Sequence, residues 1–167
     1  MKKVTAFLLI AILCLGLTAC GGGEEKEPLT SEQIVEQLKT DYGLPIVQEI
    51  TYNEETDTNG LLGRPGEYTS KTSWNDERDT ENVNYQNDET MTADGLDFLE
   101  CTVEVFENSS DANDRKEYIE STWDVGGLLS QRQYLYIVDN AILRITYNLT
   151  PEQAEEYENA FTEIMEQ

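Results

Sequence analysis

Residues 131–147 read QRQYLYIVDNAILRITY, and this stretch decides the fold. Two apolar runs flank Asp139 and Asn140, residue types that tolerate the positive φ of a two-residue hairpin turn. Such a turn pairs Val138 with Ala141 and puts alternate side chains on opposite faces of the two strands. The same register pairs Tyr136 with Leu143 and Tyr134 with Ile145, and it places on the other face Leu135, Ile137, Ile142 and Arg144. Because both faces are largely apolar, the hairpin is predicted to lie inside a larger sheet.

Three more strands are predicted upstream of this hairpin. Residues 46–52 are rich in β-branched side chains, residues 67–74 show period-two alternation, and residues 98–106 form the clearest single strand. Cys101 lies on the apolar face of the last of these strands. Its thiol is predicted to be a buried small hydrophobe rather than a reactive site.

Helices are predicted at three places. Residues 30–33 (TSEQ) and 150–153 (TPEQ) both form capping-box patterns at the start of amphipathic stretches. A third helix is predicted around Ala112, Arg115, Tyr118 and Ile119. Because hairpins replace regular strand–helix alternation, the sheet is expected to be antiparallel. Residues 29–167 are therefore predicted to form a single α+β domain, with an antiparallel sheet of four or five strands and helices packed on one face.

The composition excludes several classes of function. The chain has 167 residues, with 11 Lys and Arg against 34 Asp and Glu, no His, and a formal charge of −23. Phosphate backbones would be repelled by this charge, so nucleic acid is excluded as a partner. The absence of histidine removes the commonest general base and a favoured zinc ligand. No cofactor is expected, and the chain is not expected to be an enzyme.

The amino terminus carries an export pattern. Lys2 and Lys3 precede an apolar run over residues 4–17, which is typical of a secretory signal. Leu17-Thr18-Ala19-Cys20 then resembles the lipobox of bacterial lipoproteins, in which the cysteine thiol receives a diacylglycerol and the chain is cut before it. The resemblance implies a signal peptide over 1–19, a flexible acidic tether over 20–28, and lipid attachment at Cys20 on the outer face of the bacterial cytoplasmic membrane. An ordinary signal peptide and an uncleaved anchor are the alternatives.

One loop has part of a calcium-binding pattern. Residues 55–60 read ETDTNG, with oxygen ligands at alternate positions and a glycine in sixth place. The twelfth position is Gly66 where a bidentate carboxylate belongs. Glu55, Asp57 and Asn59 are therefore only weak candidates for metal ligands, and an ordinary acidic turn is the favoured interpretation.

Two further sets of carboxylates are candidates for a site. Glu100 and Glu104 lie four strand residues apart, about 13 Å, with Thr102 between them, which is too wide for a glycosidase pair. A solvated strand face is the favoured interpretation of both. The second set is an acidic run near Trp74 and Tyr85 that contains Asp76, Glu77, Asp79, Glu81, Asp88 and Glu89. This run could bind a basic partner or divalent cations, but a solvated acidic chain is the favoured interpretation.

Several stretches together resemble one protein family. They are LLGRPGEYTSK at 61–71, VEVFE at 103–107 followed by DA at 111–112 and RKEYI at 115–119, the segment from Tyr136-Ile137 to Leu143-Arg144, and TP at 150–151. The family is one of uncharacterised extracytoplasmic lipoprotein domains of Gram-positive bacteria. The resemblance implies a shared fold and export but no catalytic residue. Arg64 within it is interpreted as part of a turn that pairs with a nearby carboxylate, rather than as a binding residue.

The expected function follows from the export pattern and the missing catalytic residues. We expect a membrane-anchored extracytoplasmic lipoprotein that acts as a non-enzymatic binding or interaction module of the cell envelope, with a basic protein or another envelope component as its partner. The alternatives are a carboxylate-based, cation-dependent envelope hydrolase and a carrier of a small ligand or metal.

Overall fold

The computed structural model describes residues 28–79, 101–125 and 132–167. The elements, in chain order, are α1 (Ser31–Thr40), β1 (Ile46–Thr51), β2 (Ser70–Asp76), β3 (Cys101–Val105), α2 (Ser109–Val125), β4 (Gln133–Val138), β5 (Ala141–Thr146) and α3 (Pro151–Met165). The strands form one antiparallel sheet in the order β1-β2-β3-β5-β4. This arrangement confirms the predicted α+β fold. The signal peptide, all but the last residue of the tether, Cys20 and residues 98–100 lie outside the described ranges.

The β4–β5 hairpin has the predicted register. Val138 pairs with Ala141, Tyr136 with Leu143, and Tyr134 with Ile145. Asp139 takes the positive φ that the turn needs, at 50°. β5 pairs with β3 on its other side and β4 forms one edge of the sheet, so the hairpin is part of the larger sheet and not a free ribbon.

Both predicted capping boxes are present. At the start of α1, the backbone amide of Thr30 donates a hydrogen bond to the side-chain oxygen of Gln33 at 2.9 Å. The backbone amide of Gln33 donates in turn to the Thr30 hydroxyl at 3.3 Å. Thr150 and Gln153 repeat these two bonds at the same distances in α3, with Pro151 in the first turn. Each box satisfies backbone amides that have no partner within the helix, so both starts are defined by local sequence.

The three helices lie on two faces of the sheet. α1 and α3 cover the face that carries Trp74, Cys101 and Leu143, and these residues belong to the main core cluster. α2 differs from the prediction, because it packs on the opposite face, where Ala112 joins a smaller cluster that contains Tyr68, Phe106 and Ile142. Two interactions hold α2 on this face: the apolar contact of Ala112, and the ion pair of Arg115 with the buried carboxylate of Glu104.

Strand bounds differ from the prediction mainly in β2. Residues 67–74 were predicted, but the strand covers Ser70–Asp76, because Tyr68 closes the preceding loop, where its carbonyl oxygen accepts a hydrogen bond from the Gly63 amide at 2.9 Å. At the sheet edge, β1 has a register shift between Val47 and Ile50, where Gln48 takes a φ of 53°. In the described ranges, no helix has the length and apolar character needed to cross a bilayer.

Candidate functional site

A cluster of charged side chains is buried between the sheet and α2. Arg115 donates from Nε and Nη2 to the two oxygens of Glu104, each at 3.1 Å, and Arg144 Nη1 lies 3.3 Å from Glu104 Oε1. Glu104 is 0% exposed and Thr102 beside it is also buried, so the prediction of a solvated strand face is wrong for both. The error has a physical cause: α2 covers this face and supplies the arginine that makes burial of the carboxylate tolerable. Glu100 lies outside the described residues.

The Glu104 carboxylate is held in its ionised form. Burial alone would raise its pKa, but the charge of Arg144 and the hydrogen bonds and charge of Arg115 lower the pKa below its ordinary value, and Lys71 adds to this effect. A carboxylate that is paired in this way is a poor general acid, because it does not hold a proton near neutral pH. The arrangement is therefore suited to joining α2 to the sheet.

Asp57, one of the weak calcium candidates, joins the same cluster. Its Oδ2 accepts the amides of Leu61 at 2.8 Å and Leu62 at 3.0 Å, and its Oδ1 accepts the Tyr68 hydroxyl at 2.7 Å. Lys71 Nζ lies 3.9 Å from the same Oδ1 and 4.3 Å from the ring centroid of Tyr52. The oxygens of Asp57 are thus occupied by protein donors, and its nearest cation is an ammonium group.

The other two calcium candidates differ from Asp57 in their burial. Glu55 and Asn59 are exposed, whereas Asp57 is buried. Across residues 28–79, 101–125 and 132–167, no group of three or more Asp, Glu, Cys or His side chains is arranged to hold a metal ion. The carboxylate of Asp57 instead fixes the loop that precedes β2.

Arg64 lies at the exposed end of that loop. Its amide donates to Leu61 O, and its carbonyl accepts the Glu67 amide, both at 3.0 Å, so it closes two turns. The ion pairs found among the described residues do not include Arg64. The turn was predicted, whereas the expected pairing with a carboxylate is not among those pairs.

The start of the acidic run is built into the fold. Asp76 accepts hydrogen bonds from Arg78 Nη2 at 2.9 Å and from the Tyr157 hydroxyl at 2.8 Å. Asp79 accepts a hydrogen bond from the side-chain amide of Asn148 at 3.1 Å. Both carboxylates are 1% exposed, so the prediction of a solvated chain is wrong for these two residues. The two carboxylates therefore connect the end of β2 to α3 and to the turn between β5 and α3. Glu77 is exposed, and the remainder of the run, including Glu81, Tyr85, Asp88 and Glu89, lies outside the described residues.

A groove of about 470 Å³ runs between α1 and the edge strand β1. Its lining combines the apolar side chains of Leu29 and Val35 with the hydroxyls of Thr51 and Thr72, which lie 3.1 Å apart. The Ser31 hydroxyl lies 2.9 Å from Thr72 Oγ1, so these hydroxyls form a continuous hydrogen-bonded row. The groove therefore offers both apolar and hydrogen-bonding contact.

The rim of the groove is acidic. Glu32 and Glu36 line one side from α1, and Glu49 lines the other from β1. Glu32 and Glu36 are four residues apart, so they lie on the same helix face and repel each other. Glu49 is paired with Lys39 of α1 at 2.9 Å, and the same ammonium group also interacts with the charge of Glu36, so one cation serves two of the rim carboxylates. A cation bound between Glu32 and Glu36 would relieve their repulsion.

The sequence did not single out this groove. Glu32 was recognised only as part of a capping box, and β1 was not identified as an edge strand. The available signal was the spacing of Glu32 and Glu36 on the polar face of α1, but the opposite wall depends on which strand packs beside the helix. Cys101, by contrast, is buried as predicted.

Acid is expected to remove the contribution of Asp57 to stability. Burial raises the pKa of Asp57, but hydrogen bonds from Leu62, Tyr68 and Leu61 and the charge of Lys71 together lower it below 3.8. A lowered pKa gives stability that is present above the unfolded-state pKa and is lost as the pH falls through the folded-state value. Asp57→Asn should therefore cost about 1–3 kcal/mol near pH 6 and progressively less toward pH 3.

Urea unfolding of both proteins, followed by tryptophan fluorescence over this pH range, measures the difference. A difference that stays constant or grows toward low pH would contradict the lowered pKa of Asp57.

Comparisons with models of known protein families, with curated proteins and with solved structures found no match to this chain.

Proposed function

We propose that this chain is a lipid-anchored extracytoplasmic protein that acts as a non-enzymatic binding module, and that the groove between α1 and β1 holds a basic peptide segment of an envelope partner. The acid-rimmed groove of about 470 Å³ carries the proposal. The export pattern and Cys20 support the location. The anchor belongs to the sequence outside the described residues.

The chemistry of the groove favours an extended segment with both basic and apolar side chains. Basic side chains would pair with Glu32 and Glu36, while apolar ones would cover Leu29 and Val35. The overall charge of −23 would attract such a segment from a distance and raise its association rate, an effect that salt weakens. A protein segment uses more of this lining than a free metal ion, because a metal ion would engage only the oxygen atoms and leave Leu29 and Val35 without a partner.

The alternatives were a carboxylate-based hydrolase and a carrier of a small ligand or metal. The hydrolase has less support from the candidate pair Glu100 and Glu104. Glu104, the member of this pair that the structure describes, is ionised and forms ion pairs with Arg115 and Arg144. A carrier would use the same groove. Failure of a basic peptide to bind would therefore favour the carrier over the main proposal.

The groove is tested with a fluorescein-labelled peptide of alternating lysine and leucine, and with its glutamate–leucine counterpart. We expect the lysine peptide to bind and the glutamate peptide not to bind, as measured by fluorescence anisotropy. Glu32→Gln with Glu36→Gln should weaken binding about tenfold, since an exposed ion pair contributes up to about 1 kcal/mol and two are removed. Raising the salt from about 0.05 to 0.3 M should weaken binding further.

The matched control is Glu54→Gln with Glu55→Gln. Both residues are exposed and lie in the loop after β1, so this variant makes the same change in net charge away from the groove. It should leave binding unchanged. An equal loss of affinity in both double variants would mean that the peptide responds only to net charge, and the groove assignment would then fail.

A further inference from the structure

A second surface, on the opposite side of the domain from β1, carries three tyrosines. This aromatic patch consists of Tyr134, Tyr136 and Tyr147. Tyr134 and Tyr136 are alternate residues of β4, and the register places their partners Ile145 and Leu143 on the same face. Tyr147 follows β5, and its ring stands at 84° to that of Tyr134 with centroids 4.4 Å apart. Two perpendicular rings thus meet at the end of the hairpin.

The rings of the aromatic patch differ in their exposure to solvent. Tyr134 and Tyr136 are partly buried against the main core cluster, and the Tyr134 hydroxyl donates to Leu149 O at 3.4 Å. Tyr147 is 49% exposed, and it is one of two large hydrophobic side chains that stand out as exposed in the part of the chain described. The fold therefore fixes two of the rings and presents the third to solvent.

Carboxylates of α3 place the patch in a negative potential. Burial raises the pKa of Tyr136 to about 12, and the charges of Glu158 and Glu155 contribute to the shift. The phenol therefore stays neutral well above physiological pH. The faces of aromatic rings are also negative, so rings and carboxylates act on a ligand in the same direction.

We propose that the aromatic patch binds a quaternary ammonium group. Such a group is cationic, bulky and weakly hydrated, so it gains from contact with several ring faces without needing a direct salt bridge. An anionic ligand would be repelled by Glu155, by Glu158 and by the net charge of −23. This site is separate from the groove between α1 and β1, and its assignment does not depend on what the groove binds.

The test compares two ligands of the same shape. Choline carries the positive charge, and 3,3-dimethylbutan-1-ol replaces its nitrogen by carbon. Each is titrated into the full-length protein in a nonionic maltoside detergent, and the tyrosine ring signals are followed by NMR. We expect choline to shift the Tyr134, Tyr136 and Tyr147 signals with saturation in the millimolar range, and the neutral ligand to bind about tenfold more weakly.

Two tyrosine variants locate the site. Tyr147→Leu should weaken choline binding about tenfold, whereas Tyr118→Leu, which removes an exposed tyrosine on α2, should leave binding unchanged. Equal binding of the two ligands would show only an apolar surface and would overturn the proposal. So would tighter binding of methylammonium than of choline, because a primary ammonium prefers the carboxylates, and so would the absence of saturation.

Discussion

Glu104→Gln is expected to lower the free energy of unfolding by about 3–5 kcal/mol. The substitution removes the buried negative charge that faces Arg115, Arg144 and Lys71, and it leaves these cations with too few carboxylates. Removing one member of a buried ion pair has a cost of this size, because the remaining charges stay desolvated. The loss would be a large part of the stability of a domain of this length. Urea unfolding near neutral pH measures it.

The matched control is Glu49→Gln. This variant makes the same chemical change in an exposed ion pair, that of Glu49 with Lys39, and should cost at most about 1 kcal/mol. A double variant, Glu104→Gln with Arg144→Gln, should lose less stability than the sum of its two single variants, because the second change removes one of the uncompensated cations. Equal losses in Glu104→Gln and the control would contradict the role given to the buried cluster.

Cys20→Ser is expected to abolish acylation of the chain completely. Attachment of a diacylglycerol requires a nucleophilic thiol, and a serine hydroxyl at the same position does not replace it. The measurement is incorporation of radiolabelled palmitate by cells of a lipoprotein-producing bacterium that expresses the chain, together with the size of the product. We expect the wild-type chain to be labelled and shortened, and the variant to be unlabelled and unprocessed.

Cys101→Ala provides the control for this experiment. Cys101 is buried in β3, far along the sequence from the lipobox, so its loss can affect stability without removing the acceptor of the lipid. The variant should incorporate label as the wild-type chain does. Labelling that persists in Cys20→Ser, or that disappears in Cys101→Ala, would refute lipid attachment at Cys20. Shortening of the wild-type chain without labelling would instead favour an ordinary signal peptide.

Much of the fold was predictable because its signals are local. The two capping boxes each need four consecutive residues, and the hairpin register follows from Asp139 and Asn140 once alternation is recognised. Cys101 was predicted to be buried for the same reason, since its neighbours alternate. In each case the residues that make the contact are close in the sequence.

The candidate sites were not predictable in the same way, because their walls come from distant segments. Glu104 was interpreted as solvated since the residues on its face of the strand, Glu100 and Thr102, are polar, and only the packing of α2 brings Arg115 to it. Asp76 was interpreted as part of a solvated acidic run, yet its carboxylate is buried and its partner Tyr157 is 81 residues away. The groove likewise requires α1 beside β1. The sequence pattern predicts how the polar residues are spaced along a strand or helix, but it does not predict which distant residues they contact.

The attachment of Ser31 to the sheet has a mechanical consequence. Its amide donates to Ser70 Oγ at 2.9 Å, and its hydroxyl lies at the same distance from Thr72 Oγ1. In a chain held at Cys20, as proposed, a pulling force along the tether would reach Leu29, which packs against the main core cluster, and then Ser31. The load then passes directly into β2, which has a strand on each side, before it can unwind the helix. Because Leu29 also lines the groove, tension on the proposed tether would act on the groove before β2 carries the load, which couples the proposed anchor to the proposed binding surface.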